Sequence, residues 1–230
     1  MRQVVLTIET TGTTLQDNEH DAHHKNSVVA LVAIDIIHEN KTITLIEKFN
    51  ERFNTNAKMS EQAEAMHHLH KKDLGNNLTF KQFVKCEQEK QQKSEPNFFD
   101  FIKDAEVIIH YGHFSKPFFK DAFGVELESL CQSLTDTYKL SRRVSPGEKY
   151  HNLDTIGLRW GALTEERGKE RDVLFDAKLT ANSFLRMRKE EERRDKLNAA
   201  ADKIFSRQKT QAPHTVSSQN KEENKKLCAK

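Results

Sequence analysis

The chain has 230 residues, with 37 Lys and Arg against 35 Asp and Glu, 36% apolar residues, 31% charged ones and a formal net charge of +2. That length accommodates one domain with a sizeable core plus an extension, and the modest apolar content leaves part of the chain outside any core. No apolar run approaches the roughly 20 residues of a membrane span, the opening residues lack a signal's apolar stretch, and the scattered Cys86, Cys131 and Cys228 suit free thiols in a reducing cytoplasm better than disulfides or a C-x-x-C metal site.

Residues 4–8 form a short apolar run stopped by Thr10-Thr11-Gly12, which predicts a strand entering a loop. Residues 13–26 are polar and His-rich and read as loop. Residues 27–38 (SVVALVAIDIIH) are β-branched and nearly continuous, the pattern of a buried strand. Asn40-Lys41 makes a turn, and residues 42–49 pair back as the next strand, giving a three-stranded antiparallel start. Residues 60–70 read as a helix with Ser60 as N-cap, and residues 78–84 start another. The polar run 86–95 (CEQEKQQKSE) is expected as an exposed extension or loop.

Pro96 opens a helix over 97–103 that offers Phe98, Phe99, Phe101 and Ile102 as a buried stripe. Residues 106–110 (EVIIH) form a short buried strand, and Pro117 starts a helix over 118–123. Residues 133–140 hold a strand end and a helix start, Ser145-Pro146-Gly147 is a turn, and residues 153–160 are helical. A polar loop runs to 169, after which Leu174, Ala177, Ala181 and Phe184 recur at helical spacing. An antiparallel start followed by alternating helices and strands indicates an α/β fold with a mixed sheet.

Beyond residue 188 the pattern dissolves, so the expected organisation is a domain over 1–188 and a tail over 189–230. Through Leu185 the chain carries 24 basic against 28 acidic residues; from Arg186 onward it carries 13 against 7. A basic tail on an acidic domain suits nucleic acid or an acidic partner, or simply keeps the chain soluble. Residues 189–207 allow a surface helix with a thin stripe of Leu197, Ala200, Ala201, Ile204 and Phe205. Residues 210–230 read as disordered.

Three stretches carry the chemistry: residues 4–12 (VVLTIETTG), 107–119 (VIIHYGHFSKPFF) and 171–185 (RDVLFDAKLTANSFL). Residues two apart in a strand share a face, so Thr7 and Glu9 point the same way. Thr10, Thr11 and Gly12 then let the backbone approach a ligand closely. Taken alone, Glu9 fits a surface carboxylate at a loop start, and Asp176 fits an acid favoured by a helix N-terminus.

Together with Ala65-Met66-His67, Thr135-Asp136-Thr137, Ser145-Pro146-Gly147, Asn152-Leu153-Asp154 and Asp176-Ala177, these stretches resemble the DnaQ-like DEDDh 3′–5′ exonucleases. The likeness spans about residues 1–187 and is closest to the proofreading epsilon subunits of bacterial DNA polymerase III. It implies a ribonuclease H-like mixed sheet flanked by helices, with a role in DNA replication and proofreading. It also implies two Mg²⁺ or Mn²⁺ ions held by four carboxylates, and a histidine general base. Carried over, the four carboxylate positions fall on Thr7, Glu9, Ser115 and Asp176, and the base falls on Arg171. Glu9 and Asp176 are thus the remaining catalytic and metal-binding candidates, with Thr10, Thr11, Gly12 and His67 for substrate. Ala30 and Val32 stand where the family often has Glu and Gly.

Mg²⁺ favours hard anionic oxygen ligands, and a guanidinium accepts no proton at physiological pH. Losing a general base alone costs about 10²–10⁴ in rate, so little or no activity is expected by the ordinary route. His113, Asp121 and Asp172 are possible replacement groups, each poorly suited by position or chemistry. Arg171 is expected to pair with Glu9 and Asp176 in place of metal charge. His20, His23 and His24, like His67, His68 and His70, lack clear zinc spacing and read as solvated loop residues. The expected function is an epsilon-like subunit that binds a DNA 3′ end, is impaired or inactive as an enzyme, and meets the polymerase III catalytic subunit through its tail. A clear clamp-binding motif is missing after the domain. The alternatives are a stand-alone nucleic-acid-end binding module and a residual exonuclease with non-standard ligands.

Overall fold

The computed structural model describes residues 1–15, 25–164 and 172–210. Five strands form one sheet in the order β3-β2-β1-β4-β5. They are β1 (Arg2–Thr10), β2 (Val28–Glu39), β3 (Thr42–Arg52), β4 (Ala105–Ile109) and β5 (Ser133–Asp136). β2 runs antiparallel to both β1 and β3, whereas β4 runs parallel to β1 and β5 parallel to β4. This is the mixed sheet expected from the sequence. The β2–β3 hairpin turns through Asn40 (φ 49°) and Lys41 (φ 68°), the left-handed pair that matches the twist of two antiparallel strands.

Helices α1 (Glu61–His67), α2 (Phe80–Gln92), α3 (Phe98–Lys103), α4 (Gly112–Phe123), α5 (Thr137–Val144), α6 (Leu153–Arg159) and α7 (Val173–Thr210) accompany the sheet. Strand alternation divides the core. Val4, Leu6 and Ile8 of β1 join a phenylalanine-rich cluster that includes Phe83, Phe98 and Phe119. Val5 points the other way, into a cluster with Leu140, Ile156, Ala177 and Phe184. Thr7 and Glu9 share the parity of Val5, so they lie on the side covered by α5, α6 and α7.

Two elements depart from expectation. Residues 86–95 do not form an extension: α2 continues through Gln92. Thr79 and Gln82 make a reciprocal capping box at its start. Glu87 is buried, and its carboxylate accepts from Phe98 N and Lys90 Nζ, both at 2.6 Å. The polar run therefore hides a functioning inward contact. Likewise α4 begins at Gly112 rather than after Pro117, which lies inside it. Its start is held by Asp136 at the end of β5, a partner from 24 residues away.

At the opposite end of β4, buried Glu106 accepts from Gln3 Nε2 at 2.9 Å, Thr135 Oγ1 at 2.6 Å and Arg188 Nη2 at 2.8 Å. Burial pushes this carboxyl up, but the three donors outweigh it and hold it below the usual range.

The chain divides into two units, Met1–Lys189 and Glu190–Lys230. In the second, Glu190 pairs with Arg193 at 2.7 Å and Arg194 at 2.8 Å, and Leu197 and Ile204 are exposed. Residues 211–230, expected to be disordered, lie outside the described residues. Among the described residues no helix is long and apolar enough to cross a membrane.

Candidate functional site

The end of β1 is built to hold a tight loop. The β1–β2 register shifts between Glu9 and Thr10, and Thr10 Oγ1 donates to Gly12 O at 2.7 Å. Thr11 is fully buried. Its N–H donates to Ser27 O at 2.9 Å, its hydroxyl donates to Asn26 Oδ1 at 2.9 Å, and its Oγ1 accepts from Ser27 N at 3.0 Å. Asn26 Nδ2 then donates to Thr14 O at 2.8 Å. A Cβ on Gly12 would lie 2.5 Å from Asn26 Nδ2, so glycine is required by close approach. Asn26 was not singled out by the sequence; a polar residue just before a buried strand carries no distinctive signal.

His67 closes the loop from the other side. It is 5% exposed. Leu69 N donates to Nδ1 at 3.1 Å, which leaves Nε2 protonated to donate to Thr10 O at 3.2 Å. Burial lowers its pKa, consistent with this neutral tautomer. Both ring nitrogens are therefore engaged: Nδ1 orients the ring through Leu69 N, and Nε2 ties the end of α1 to the Thr10–Thr11–Gly12 turn. His68 takes the left-handed position (φ 56°) that ends α1, and His70 faces Glu64 at 3.5 Å. His20, His23 and His24 lie outside the described residues.

Thr7 and Glu9 are half-buried along the end of β1, and Asp176 is half-buried in the first turn of α7. The strand parity of Thr7 and Glu9 puts them on the side of the sheet that α7 covers. Ser115 sits in α4 and is 5% exposed, and its Oγ makes no hydrogen bond among the described residues. Arg171 lies outside the described residues, as does its expected pairing.

The groups considered as replacement ligands are occupied or displaced. Asp121 accepts from Lys25 and Lys81, each at 2.9 Å, and these cations hold its carboxyl below the usual range against the upward push of burial. Asp172 Oδ1 accepts from Leu174 N at 3.2 Å and lies 3.5 Å from Arg52 Nη2. His113 is exposed, with its ring beside Tyr111.

Asp136 and His110, like Asn26, have roles that sequence reasoning missed. The Asp136 carboxylate accepts from Tyr111 N at 3.1 Å, Gly112 N at 2.9 Å and Tyr138 N at 2.9 Å, so one side chain starts both α4 and α5. Tyr111 takes a left-handed conformation (φ 55°) to reach it. His110 Nδ1 lies 2.9 Å from Thr137 Oγ1, whose hydroxyl donates to Ile109 O. Burial lowers the His110 pKa to about 4, despite the opposing charges of Asp136 and Asp154.

A two-metal centre would draw on Thr7, Glu9, Ser115 and Asp176. Two of these donors are neutral hydroxyls, and Ser115 Oγ is shut away from solvent. Among the described residues no group of three or more His, Cys, Asp or Glu side chains is placed to hold a metal ion. Such a set lacks the anionic charge that a pair of small divalent cations needs, so these residues do not fit the group.

No family model matches the chain. It is 26% identical over 192 residues to the DNA polymerase III subunit epsilon of Buchnera aphidicola, covering 81% of this chain and 74% of that protein. The same subunit of Pasteurella multocida is 25% identical over 192 residues, covering 81% and 68%. Weak homology to epsilon subunits thus extends over most of the chain. Among solved structures, exonuclease X in complex with 5′ overhanging duplex DNA aligns with a TM-score of 0.51 at 16% identity, covering 80% of this chain and 90% of that one. The nuclease domain of 3′hExo, a DEDDh family member bound to rAMP, aligns with a TM-score of 0.56 at 11% identity, covering 82% and 92%. The ribonuclease H-like fold and the DnaQ-like resemblance expected from the sequence are both upheld.

Proposed function

We propose that this chain is an epsilon-like, exonuclease-fold protein of DNA replication and proofreading that holds a nucleic-acid 3′ end with little or no hydrolysis. In this reading it acts in the cytoplasm as a polymerase-associated subunit, with residues 189–230 as the tether to the polymerase III catalytic subunit. The observation that carries the reading is the contrast between scaffold and donors. The turn at Thr10–Thr11–Gly12 is fixed by Asn26 and His67, as close approach to a ligand backbone requires, while Thr7 and Ser115 offer hydroxyls where the chemistry needs carboxylates. A Mg²⁺ or Mn²⁺ ion would find Glu9 and Asp176 as its anionic ligands and would bind weakly. No hydrolytic step is assigned to the site. A scaffold role does not need the metal centre, because a binding surface is independent of it.

The test has two arms. In EDTA, fluorescence anisotropy should show the full chain preferring an oligonucleotide with a free 3′-hydroxyl over one with a 3′-phosphate. The polymerase III catalytic subunit should co-purify with the full chain and be lost when residues 189–230 are removed. Equal affinity for both ends would sink the end-binding claim. End preference without co-purification would replace the subunit reading with that of a stand-alone binding module.

A further inference from the structure

We propose a second nucleic-acid contact, a basic aromatic track that leads away from the candidate site over α5 and the 145–151 loop and takes the single strand behind the bound end. The proposal deepens the nucleic-acid reading and rests on it for the ligand class.

The track begins at Tyr111, immediately before the helix that carries Ser115. Asp136 fixes its origin, because the same carboxylate that holds Tyr111 N and Gly112 N also holds Tyr138 N. This arrangement brings the Tyr111 and Tyr138 rings to 5.2 Å, edge to face. A left-handed non-glycine residue is strained, by roughly 1–2 kcal/mol, and Tyr111 adopts that conformation (φ 55°) while remaining 45% exposed. The Asp136 hydrogen bonds offset this strain, and the conformation they fix leaves the Tyr111 ring exposed where a base can reach it.

Behind half-buried Tyr138 lies the buried ring of His151, at 5.9 Å, which anchors the neighbouring loop and does not itself face solvent. The loop beyond is built, not loose. His151 Nε2 donates to Glu148 O at 3.0 Å, and its Nδ1 lies 2.9 Å from Ser141 Oγ. Arg159 Nη2 donates to Tyr150 O at 2.9 Å and to Glu148 Oε2 at 3.1 Å. That ion pair answers the acidic residue of the loop. Arg142 and Lys149 are both exposed, and among the described residues neither is ion-paired to a carboxylate. They line a depression of about 350 Å³ together with Tyr138, Pro146, Glu148 and His151. Lys149 Nζ stands 5.1 Å from the ring centroid of Tyr150, a residue that is 57% exposed.

Charge sets this surface apart. Residues 137–151 contain four basic residues (Lys139, Arg142, Arg143, Lys149) and one acidic one (Glu148), in a domain whose acidic residues otherwise predominate. The exposed rings of Tyr111 and Tyr150, set beside the exposed cations Arg142 and Lys149, suit single-stranded nucleic acid, whose bases stack while its phosphates meet Lys and Arg. An acidic peptide would use the cations and leave the rings without a role.

The test uses the full chain in EDTA, with 5′-fluorescein oligothymidylates of three and twelve nucleotides. The double variant Arg142→Ala/Lys149→Ala alters exposed side chains and keeps the fold, checked by circular dichroism. It should weaken twelve-nucleotide binding about tenfold or more and leave three-nucleotide binding unchanged. With two phosphate contacts removed, the log–log salt dependence should become shallower by about 1.4. Tyr150→Ala should weaken the longer oligonucleotide about fivefold or more. Photocrosslinks from iododeoxyuridine placed behind the 3′ end should map to Tyr111, Tyr138 or Tyr150. Wild-type affinity of both variants for the longer strand would overturn the track while leaving end binding intact. Tight binding of the longer strand with no end preference would support the track and remove the end-binding reading. Failure to bind either length, or equal competition by polyglutamate, would overturn the track.

Discussion

Removing the Asp136 carboxylate tests the geometry on which both the candidate site and the track depend. Asp136→Ala deletes an acceptor shared by Tyr111 N, Gly112 N and Tyr138 N. Loss of a helix N-cap costs about 1 kcal/mol, and a buried donor left without its acceptor costs about 1–3 kcal/mol. Tyr138 N belongs to the first kind and Gly112 N, in a buried residue, to the second; Tyr111 is exposed, so its N–H recovers a water. The sum is about 2–4 kcal/mol, which for a domain of this size lowers Tm by about 5–15 °C. Urea denaturation followed by circular dichroism gives the free energy, and calorimetry gives the Tm. Asp136→Asn, which keeps one acceptor oxygen, should recover part of the loss. A change below about 0.5 kcal/mol in Asp136→Ala, the level of an ordinary surface substitution, would refute the claim that one side chain organises two helix starts.

Three further outcomes follow from named contacts. Gly12→Ala places a Cβ 2.5 Å from Asn26 Nδ2, so it should destabilise by about 1–3 kcal/mol and weaken oligonucleotide end binding, and a urea midpoint equal to wild type would count against the packing argument. Burial depresses His110 to about 4 and also lowers His67, so the unfolded chain binds more protons than the folded one between about pH 6.5 and pH 4. Stability is therefore full above pH 6.5 and falls as pH drops toward 4, by about 3 kcal/mol from His110; a urea midpoint that stays flat over that window, or one equally steep in His110→Asn, would contradict this. The pairing of Arg171 with Glu9 and Asp176 expected from the sequence predicts that Arg171→Ala lowers Tm in metal-free buffer, and an unchanged Tm would sink it.

The elements legible in the sequence are those whose signals are local. The β-branched run of β2, the Asn40-Lys41 turn and the Ser60 cap each contain their own cause, and all are present. The start of α4 was hidden because its cap comes from Asp136, across the β4–β5 junction. The length of α2 was hidden because Glu87, a polar residue in a polar run, is turned inward to Phe98 N. At the candidate site, the shared face of Thr7 and Glu9 follows from strand parity and was readable. The burial of Ser115, the contact of His67 Nε2 with Thr10 O and the part played by Asn26 depend on packing between separate elements of the chain, where periodicity carries no information.

The central claim is that this scaffold retains an end-binding turn without a working metal centre. Incubation of the full chain with a 3′-mismatched primer and Mn²⁺, compared with Glu9→Ala, tests it most directly. The account predicts no shortening above that of Glu9→Ala, together with retained binding of the primer. Metal-dependent shortening that Glu9→Ala abolishes would contradict it and establish a working exonuclease with unusual ligands.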